Sequence, residues 1–513
     1  MLHVISDHQT HTLPTYPCAT LAQHLFAAGC YRGHPLCAGI GTCGRCRVRY
    51  HSEPPMPDHK EGEILSPRRI EQGWRLGCRH YPQGDVTIEV PAALWQRSGS
   101  FSPCPEGLSH LAVDIGTTAV KWQGILSGER VPISGHFLNP QIGAGADVMA
   151  RMAYAQVDTT FAAALHHSLM EVLAALLQGP SSSHIPSLVV TGNSVMMYTL
   201  LGLSLEGLAT APYRLEYQGN TIEKMTVGEV QTGLQAYIPP LLAPFVGADI
   251  ACGLCHLLLH HSHEDLFPFI LADFGTNGEF VLALAPDRYL VTSVAMGPAL
   301  EGVGLTRGRM AGPGVCTGFT LGPQGLAPLS GQVKYGVSGT GYLSLVSMLK
   351  RVGALDVSGR FSSLSHPLAR MLKGLFDEGP SGRVLVMDKR PVLTGRDVEE
   401  ILKVKASCNH ALEALLEQGE IKQGAIKRVF IAGSLGTHLR PLDLVELGCV
   451  PRPWEKKMVM VGNTALGGAW DFLTHKEAHK VMSRLAGYVK SVDLPGQQNF
   501  TADYVSRMQF AYS

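Results

Sequence analysis

Neither sign of charge is in excess in this chain. Its 42 Lys and Arg residues are matched by 42 Asp and Glu, so nothing in the charge balance suggests a nucleic-acid partner. Long apolar runs are also missing, and none approaches the length of a membrane span. The N-terminus, Met-Leu-His-Val-Ile-Ser-Asp-His, has no basic region leading into a long apolar one, so no signal peptide is visible and a cytoplasmic protein is expected. Charged residues are few, at 16%, beside 45% hydrophobic residues, which describes an ordinary globular chain. The length of 513 residues exceeds what one core usually organises. Twelve cysteines in such a chain read as metal ligands and buried thiols rather than disulfides.

Four of those cysteines are spaced for chemistry. Cys37, Cys43 and Cys46 stand in Cys-Ala-Gly-Ile-Gly-Thr-Cys-Gly-Arg-Cys. Cys78 follows about 30 residues later in Arg-Leu-Gly-Cys-Arg. A Gly-rich loop with three thiols can wrap one side of a [2Fe–2S] cluster and turn backbone N–H groups toward its sulfurs, while a distant strand end closes the site. The first gap is one residue longer than the plant-type spacing. Zinc also takes thiolates, usually on two Cys-X2-Cys knuckles, and here only Cys43 and Cys46 form such a pair. Cys18 and Cys30 lie outside the pattern and are expected to be buried and apolar in character. Residues 1–95 therefore read as a small β-rich redox module. Residues 96–108, rich in Ser, Pro and Gly, read as a flexible linker that lets the module move.

From residue 109 the pattern becomes α/β, and one short motif occurs twice. Ala112-Val113-Asp114-Ile115-Gly116-Thr117-Thr118 is echoed about 160 residues later by Ala272-Asp273-Phe274-Gly275-Thr276-Asn277-Gly278-Glu279. Each copy reads as a strand, a tight polar turn and a returning strand, so its turn residues project from a sheet edge. Asp114 and Asp273 suit a hydrated Mg²⁺; Gly116, Thr117, Thr118, Gly275, Thr276 and Asn277 suit phosphate. Glu279 either orients an attacking water or faces solvent from its strand. Two copies predict a duplicated nucleotide-binding fold over 109–480, in halves of about 109–255 and 265–480 with a cleft between them, followed by a tail over 481–513. A third turn, Gly433-Ser434, follows the strand at 428–432 and has room for a nucleobase or ribose. Gly462-Asn463-Thr464 repeats the strand, Gly-Asn and helix order of Gly192-Asn193-Ser194.

In this order the motifs resemble the acetate kinase, sugar kinase, Hsp70 and actin superfamily. Joined to the cysteine module, in which Glu61–Leu65 and Gly73–Cys78 resemble a ferredoxin domain, they look like the ATP-dependent reductive activators of corrinoid proteins. Asn139-Pro140-Gln141, Gly145-Ala146-Asp147-Val148, Phe245-Val246-Gly247-Ala248-Asp249, Gly297–Gly302 and Leu393–Val398 match that narrower family. The resemblance implies an α+β multidomain chain with an N-terminal β-grasp ferredoxin-like domain. A duplicated α/β, ribonuclease H-like ATPase domain of the actin/Hsp70 type would follow. It implies a [2Fe–2S] cluster on Cys37, Cys43, Cys46 and Cys78, ATP with Mg²⁺, adenosine at Gly433 and Ser434, and a homodimer. The implied partner is a corrinoid protein or cobalamin-dependent methyltransferase, whose cob(II)alamin is reduced to cob(I)alamin; the electron donor is left open. Two departures stand out. The family carries an extra domain between linker and nucleotide domain, for which Asp114 follows the linker too closely. Thr292–Met296 is also looser than the family's Ser/Ala-rich segment.

Other functions fit parts of the pattern. A small-molecule kinase with a fused ferredoxin domain would not need its cluster for turnover. An ATP-coupled donor could serve a non-corrinoid acceptor, and a redox sensor would have lost catalysis, against the intact Asp and Thr residues of both turns. Cys252, Cys255 and His256, with His260, His261 and His263, read either as a second metal site or as core thiols beside a solvated helix end. Arg307 and Arg309, in a Gly-rich loop, read as phosphate or partner contacts or as exposed loop charge. The helix-like run from Asp397 to Leu416 reads as packing.

Overall fold

The computed structural model describes residues 1–7, 9–37, 39–95, 108–177, 187–227, 230–364, 366–379, 382–433, 438–494, 496 and 499–512. The expected linker lies outside the described residues except for Leu108, which opens a strand. The chain forms two compact units, Met1–Cys252 with Ala465–Ser483, and Gly253–Thr464 with Arg484–Ser513.

The first unit contains two sheets. β1 (Leu2–Ser6), β2 (Gln9–Leu13), β3 (Arg47–Tyr50), β4 (Trp74–Leu76) and β5 (Val86–Glu89) form a mixed sheet in the order β2-β1-β5-β3-β4, with β1 and β5 parallel. Alternation along β1 buries Leu2 and Val4, the period-two signature of a half-buried strand. A helix, Leu21–Ala27, starts at a capping box in which Thr20 and Gln23 satisfy each other's backbone N–H groups. The second sheet is built from β6 (Leu108–Ile115), β7 (Ala119–Leu126), β8 (Ile133–Leu138), β9 (Ser187–Gly192), β10 (Thr221–Val227) and β11 (Val230–Ile238), in the order β10-β11-β9-β6-β7-β8. β6 and β9 run parallel, as do β9 and β11.

The N-terminal module packs on this second sheet's helical layer. Phe26 meets the Tyr154 ring edge-on at 5.4 Å between centroids, Tyr16 meets Phe161 likewise at 5.2 Å, and Arg32 pairs with Glu171. Leu25, Phe26, Tyr154, Phe161 and Leu165 belong to one continuous core. Interlocked aromatic burial of this kind holds two layers together without a covalent tether. Helix Thr159–Leu177 also corrects the reading that no apolar stretch is long enough for a membrane. It meets that length and composition, but Phe161, Leu165, Leu169, Val172, Leu173 and Leu176 are spent in this core.

The second unit repeats the topology. β12 (Phe269–Phe274), β13 (Asn277–Ala285) and β14 (Arg288–Ala295) are antiparallel neighbours; strands Arg428–Ala432 and Met458–Gly462 extend the sheet parallel to β12. Reading outward, 458–462, 428–432, β12, β13, β14 reproduces β11, β9, β6, β7, β8 in order and direction. The duplicated α/β core anticipated from two short motifs is therefore present strand for strand. A 24-residue helix, Gly395–Gln418, covers this sheet. Its buried Asp397 accepts from the Thr306 N–H and hydroxyl and from Thr394, which gives the Leu393–Val398 motif a structural task. The final thirty residues are not a tail. Strand Val489–Ser491 pairs parallel with β14, and buried Phe510 donates its N–H to the Val357 carbonyl at 2.7 Å.

Candidate functional site

The four spaced cysteines converge. The Cys37 thiol meets those of Cys43 and Cys78, and Cys46 meets Cys78. Hydrogen bonds from Cys43, first, and from Cys78 push the Cys37 thiol strongly down and push those two partners up, as thiols close enough to share protons do; a thiolate is the state that ligates metal. A cavity of about 320 Å3 opens onto Cys37, Cys46 and Cys78. The fully buried Tyr31 lies beside this group, and its phenol is pushed well up by burial and by the neighbouring cysteines. Among the described residues its hydroxyl has no hydrogen-bond partner. A buried donor left over beside four thiols fits a group with acceptor sulfurs. The residues thus fit an iron–sulfur cluster. Cys30 is buried as expected, but Cys18 is exposed and lines the cavity.

Buried carboxylate chemistry holds the segment around Cys78 in place. Glu61 accepts from the N–H groups of Leu76 at 2.5 Å and Asp58 at 2.8 Å, and its other contact is His80 Nε2 at 2.9 Å. Burial raises its pKa, yet the hydrogen bonds from His80, Leu76 and Asp58 outweigh this and hold the carboxyl below its ordinary value. Arg79, next to Cys78, donates to Asp58 at 3.0 Å and to the Gly39 carbonyl at 2.9 Å, so it ties the cysteine loop to the strand end. Replacing Glu61 strands several buried groups at once. Glu61→Ala is expected to cost the module about 3 kcal/mol, checked as a lower melting temperature of the cluster's visible absorption.

The first Asp-X-Gly-Thr turn sits at the carboxyl ends of β6 and β9, where Asp114 lies opposite Thr191 and Ile115 opposite Gly192. Ligands of open α/β sheets bind outside these strand ends. Asp114 and Thr117 are both buried. Asn193 caps the helix Ser194–Leu200 and donates its side-chain amide to Thr117 Oγ1 at 3.0 Å. Asn139 donates to the Gly116 carbonyl at 2.8 Å. Arg151, fully buried, donates to the Thr117 carbonyl, to the Gly145 carbonyl at 3.0 Å and to Gln141 Oε1 at 3.3 Å. Sequence reading passed over Arg151. Its signal was a lone arginine in the otherwise apolar helix Val-Met-Ala-Arg-Met-Ala-Tyr-Ala.

The second turn repeats this placement, with Asp273 opposite Ala432 on the parallel strand and opposite Glu279 across the hairpin. Asp273 and Glu279 therefore share one face of the sheet. Glu279 is buried, which removes its solvent-facing alternative. Thr276 Oγ1 donates to Glu301 at 2.7 Å, and Ser293 lies 3.5 Å from Glu279. Gly275 donates its N–H to the Asn277 carbonyl at 3.0 Å, which closes the turn. Gly433, at φ 91°, abuts the same turn: a Cβ there would stand 2.5 Å from the Phe274 carbonyl and 2.6 Å from Asp273 Oδ1. Only glycine lets these two turns touch. Ser434 lies outside the described residues.

The remaining candidates separate. Cys252 and Cys255 are buried, whereas the His256 and His260 rings stand 4.5 Å apart on a half-buried to exposed stretch of the same helix. Arg307 is half-buried, with its N–H donated to the Tyr342 hydroxyl at 2.9 Å and its guanidinium to the Met387 carbonyl at 3.3 Å. Arg309 is exposed.

Comparison with known proteins agrees with this arrangement. Residues 268–513 match the family described as the C-terminal domain of RACo, the ASKHA domain, and residues 109–262 match the RACo middle region. The supposed lack of room for a further domain is thereby corrected, since the segment directly after the linker is that region. The corrinoid activation enzyme RamQ of Eubacterium limosum is 27% identical over 426 residues, covering 78% of this chain and 70% of that protein. A Methanosarcina barkeri protein named as the reductase of a Co(II) methylated amine-specific corrinoid protein is 26% identical over 266 residues, 47% of this chain and 44% of its own length. The solved reductive activator for corrinoid, iron-sulfur protein shares the fold, with a TM-score of 0.67, 23% identity and coverage of 99% and 98% of the two chains. With both regions present in sequence over nearly all residues after 108, the chain belongs to the RACo family.

Proposed function

We propose that the chain is an ATP-dependent reductive activator that passes one electron to the cob(II)alamin of a corrinoid protein or cobalamin-dependent methyltransferase. The observation that carries this reading is the pairing, in one chain, of four convergent thiols with two Asp-X-Gly-Thr turns on matching sheets. Relatives named for corrinoid activation and corrinoid-protein reduction support the choice of acceptor. Cys37, Cys43, Cys46 and Cys78 hold a [2Fe–2S] cluster, which supplies a one-electron carrier when bound. Asp114 and Asp273 hold Mg²⁺ or its waters. Gly116, Thr117, Thr118, Gly275, Thr276 and Asn277 take the phosphates, and Gly433 and Ser434 the adenosine. Glu279, buried opposite Asp273, orients the water that attacks the terminal phosphate.

The energetic need for ATP follows from potentials. A plant-type centre sits near about −400 mV. Each further 100 mV that one electron must climb costs about 2.3 kcal/mol. A nucleotide that favours one conformation shifts an equilibrium by its differential affinity, and a few kcal/mol suffices here. ATP binding therefore selects the form that engages the partner, and hydrolysis to ADP and phosphate releases it. We place this cycle in the cytoplasm.

ATP hydrolysis measured with and without a candidate corrinoid protein tests the reading. Stimulation by the corrinoid protein is expected. Stimulation by a small metabolite, with release of its phosphorylated form, would instead identify a kinase.

A further inference from the structure

The first phosphate turn and the cysteine loop share one wall. The strap from Asn139 to Gly143 touches both. On one side the Asn139 amide holds the Gly116 carbonyl at 2.8 Å. On the other, the Pro140 carbonyl accepts the Gly33 N–H at 3.3 Å and the Ile142 carbonyl accepts the Leu36 N–H at 3.2 Å. Leu36 immediately precedes the ligand Cys37. Gly143 is pressed onto the module so closely that a Cβ would lie 2.2 Å from the Tyr31 carbonyl.

The short helix Val148–Ala155 touches both sites again. Ala150, Ala153 and Tyr154, which fall on one face at helical spacing, line the cavity with Cys37, Cys46 and Cys78. Arg151 leaves the helix on an adjacent face and binds the Thr117 carbonyl. Its bonds to Gly145 and Gln141 clamp strap and helix together. A close-packed wall of this kind has no slack to absorb a shift at one surface, so displacement of the turn reaches the other surface.

We propose that residues 139–154 transmit nucleotide occupancy at the Gly116–Thr117 turn to the cysteine loop, with Arg151 as the positioning residue that keeps turn and wall in register. This rests on the nucleotide reading of that turn. Nucleotide then acts on the environment of the electron carrier itself, in addition to any effect on partner binding.

The test uses full-length, cluster-loaded protein and a non-hydrolysable ATP analogue with Mg²⁺. Calorimetry establishes binding, the reduced cluster's paramagnetic resonance reports its surroundings, and hydrogen exchange reports the wall. In the wild type, bound analogue is expected to change the resonance line shape and to slow exchange across 148–155 at least about tenfold. Arg151→Met is expected to bind analogue within about tenfold of wild type and to lose the resonance response, and Arg151→Lys to restore part of it. A response in Arg151→Met equal to wild type would overturn the proposal. So would analogue bound to wild type with a silent cluster and slowed exchange confined to 114–118, a result that needs no variant to fold and leaves ATP-dependent electron delivery standing. Failure of wild type to bind analogue at all would overturn this proposal and the nucleotide reading together.

Discussion

Cys46→Ser is expected to lower cob(I)alamin formation at least about a hundredfold while nucleotide binding survives. Cys46 is buried and meets Cys78 across the centre, so together with Cys37 it joins the loop to the distant cysteine. Serine oxygen is a harder and much less acidic ligand than thiolate. Loss of even outer-shell support at metal sites commonly costs ten- to a hundredfold. The variant should therefore be purified with bleached or altered visible absorption and a depleted iron content. The nucleotide turns lie on other sheets, which is why analogue affinity serves as the internal control. A variant with full reductive activity would remove the cysteine centre from the electron path.

Asp273→Asn is expected to cut partner-stimulated ATP hydrolysis about a hundredfold or more, an increase of about 2.7 kcal/mol in the barrier. The substitution keeps shape and hydrogen-bonding capacity but removes the charge that would hold Mg²⁺. It also relieves the like-charge neighbour across the hairpin, since Asp273 lies directly opposite Glu279. Folding should therefore be retained or improved, and lost turnover will not reflect lost structure. The readout is phosphate release at saturating ATP, with analogue binding measured beside it. Asp273→Asn turning over like wild type would move the catalytic metal site elsewhere.

Much of this architecture was legible because it rests on short, local chemistry. Asp114 and Asp273 each end a buried strand and precede a Gly-Thr turn, so their spacing alone foretold two matching sheets. The cysteine spacing foretold convergence for the same reason: thiols on a glycine-rich loop and at a strand end have few other tasks. Long-range packing was not legible. Nothing about Tyr16, Phe26, Tyr154 or Phe161 in isolation says that they interlock, so the packing of the redox module on the helical layer could not be foretold. Arg151 went unread because its partners, Gly145, Gln141 and Thr117, are mostly backbone oxygens that leave no mark in the sequence. The C-terminal stretch looked like a tail because three residues pairing with β14 make a strand too short to announce itself. Glu279 was ambiguous since strand alternation fixes a face but not which face is covered.

ATP's role as the driving force is the part of this account most exposed to experiment. With chemically reduced, cluster-loaded protein and a cob(II)alamin-bearing corrinoid protein under anaerobic conditions, the growth of cob(I)alamin absorption can be followed before and after MgATP is added. Negligible cob(I)alamin is expected until ATP arrives, and rapid formation afterwards. Equal rates without ATP would contradict a driving role for ATP.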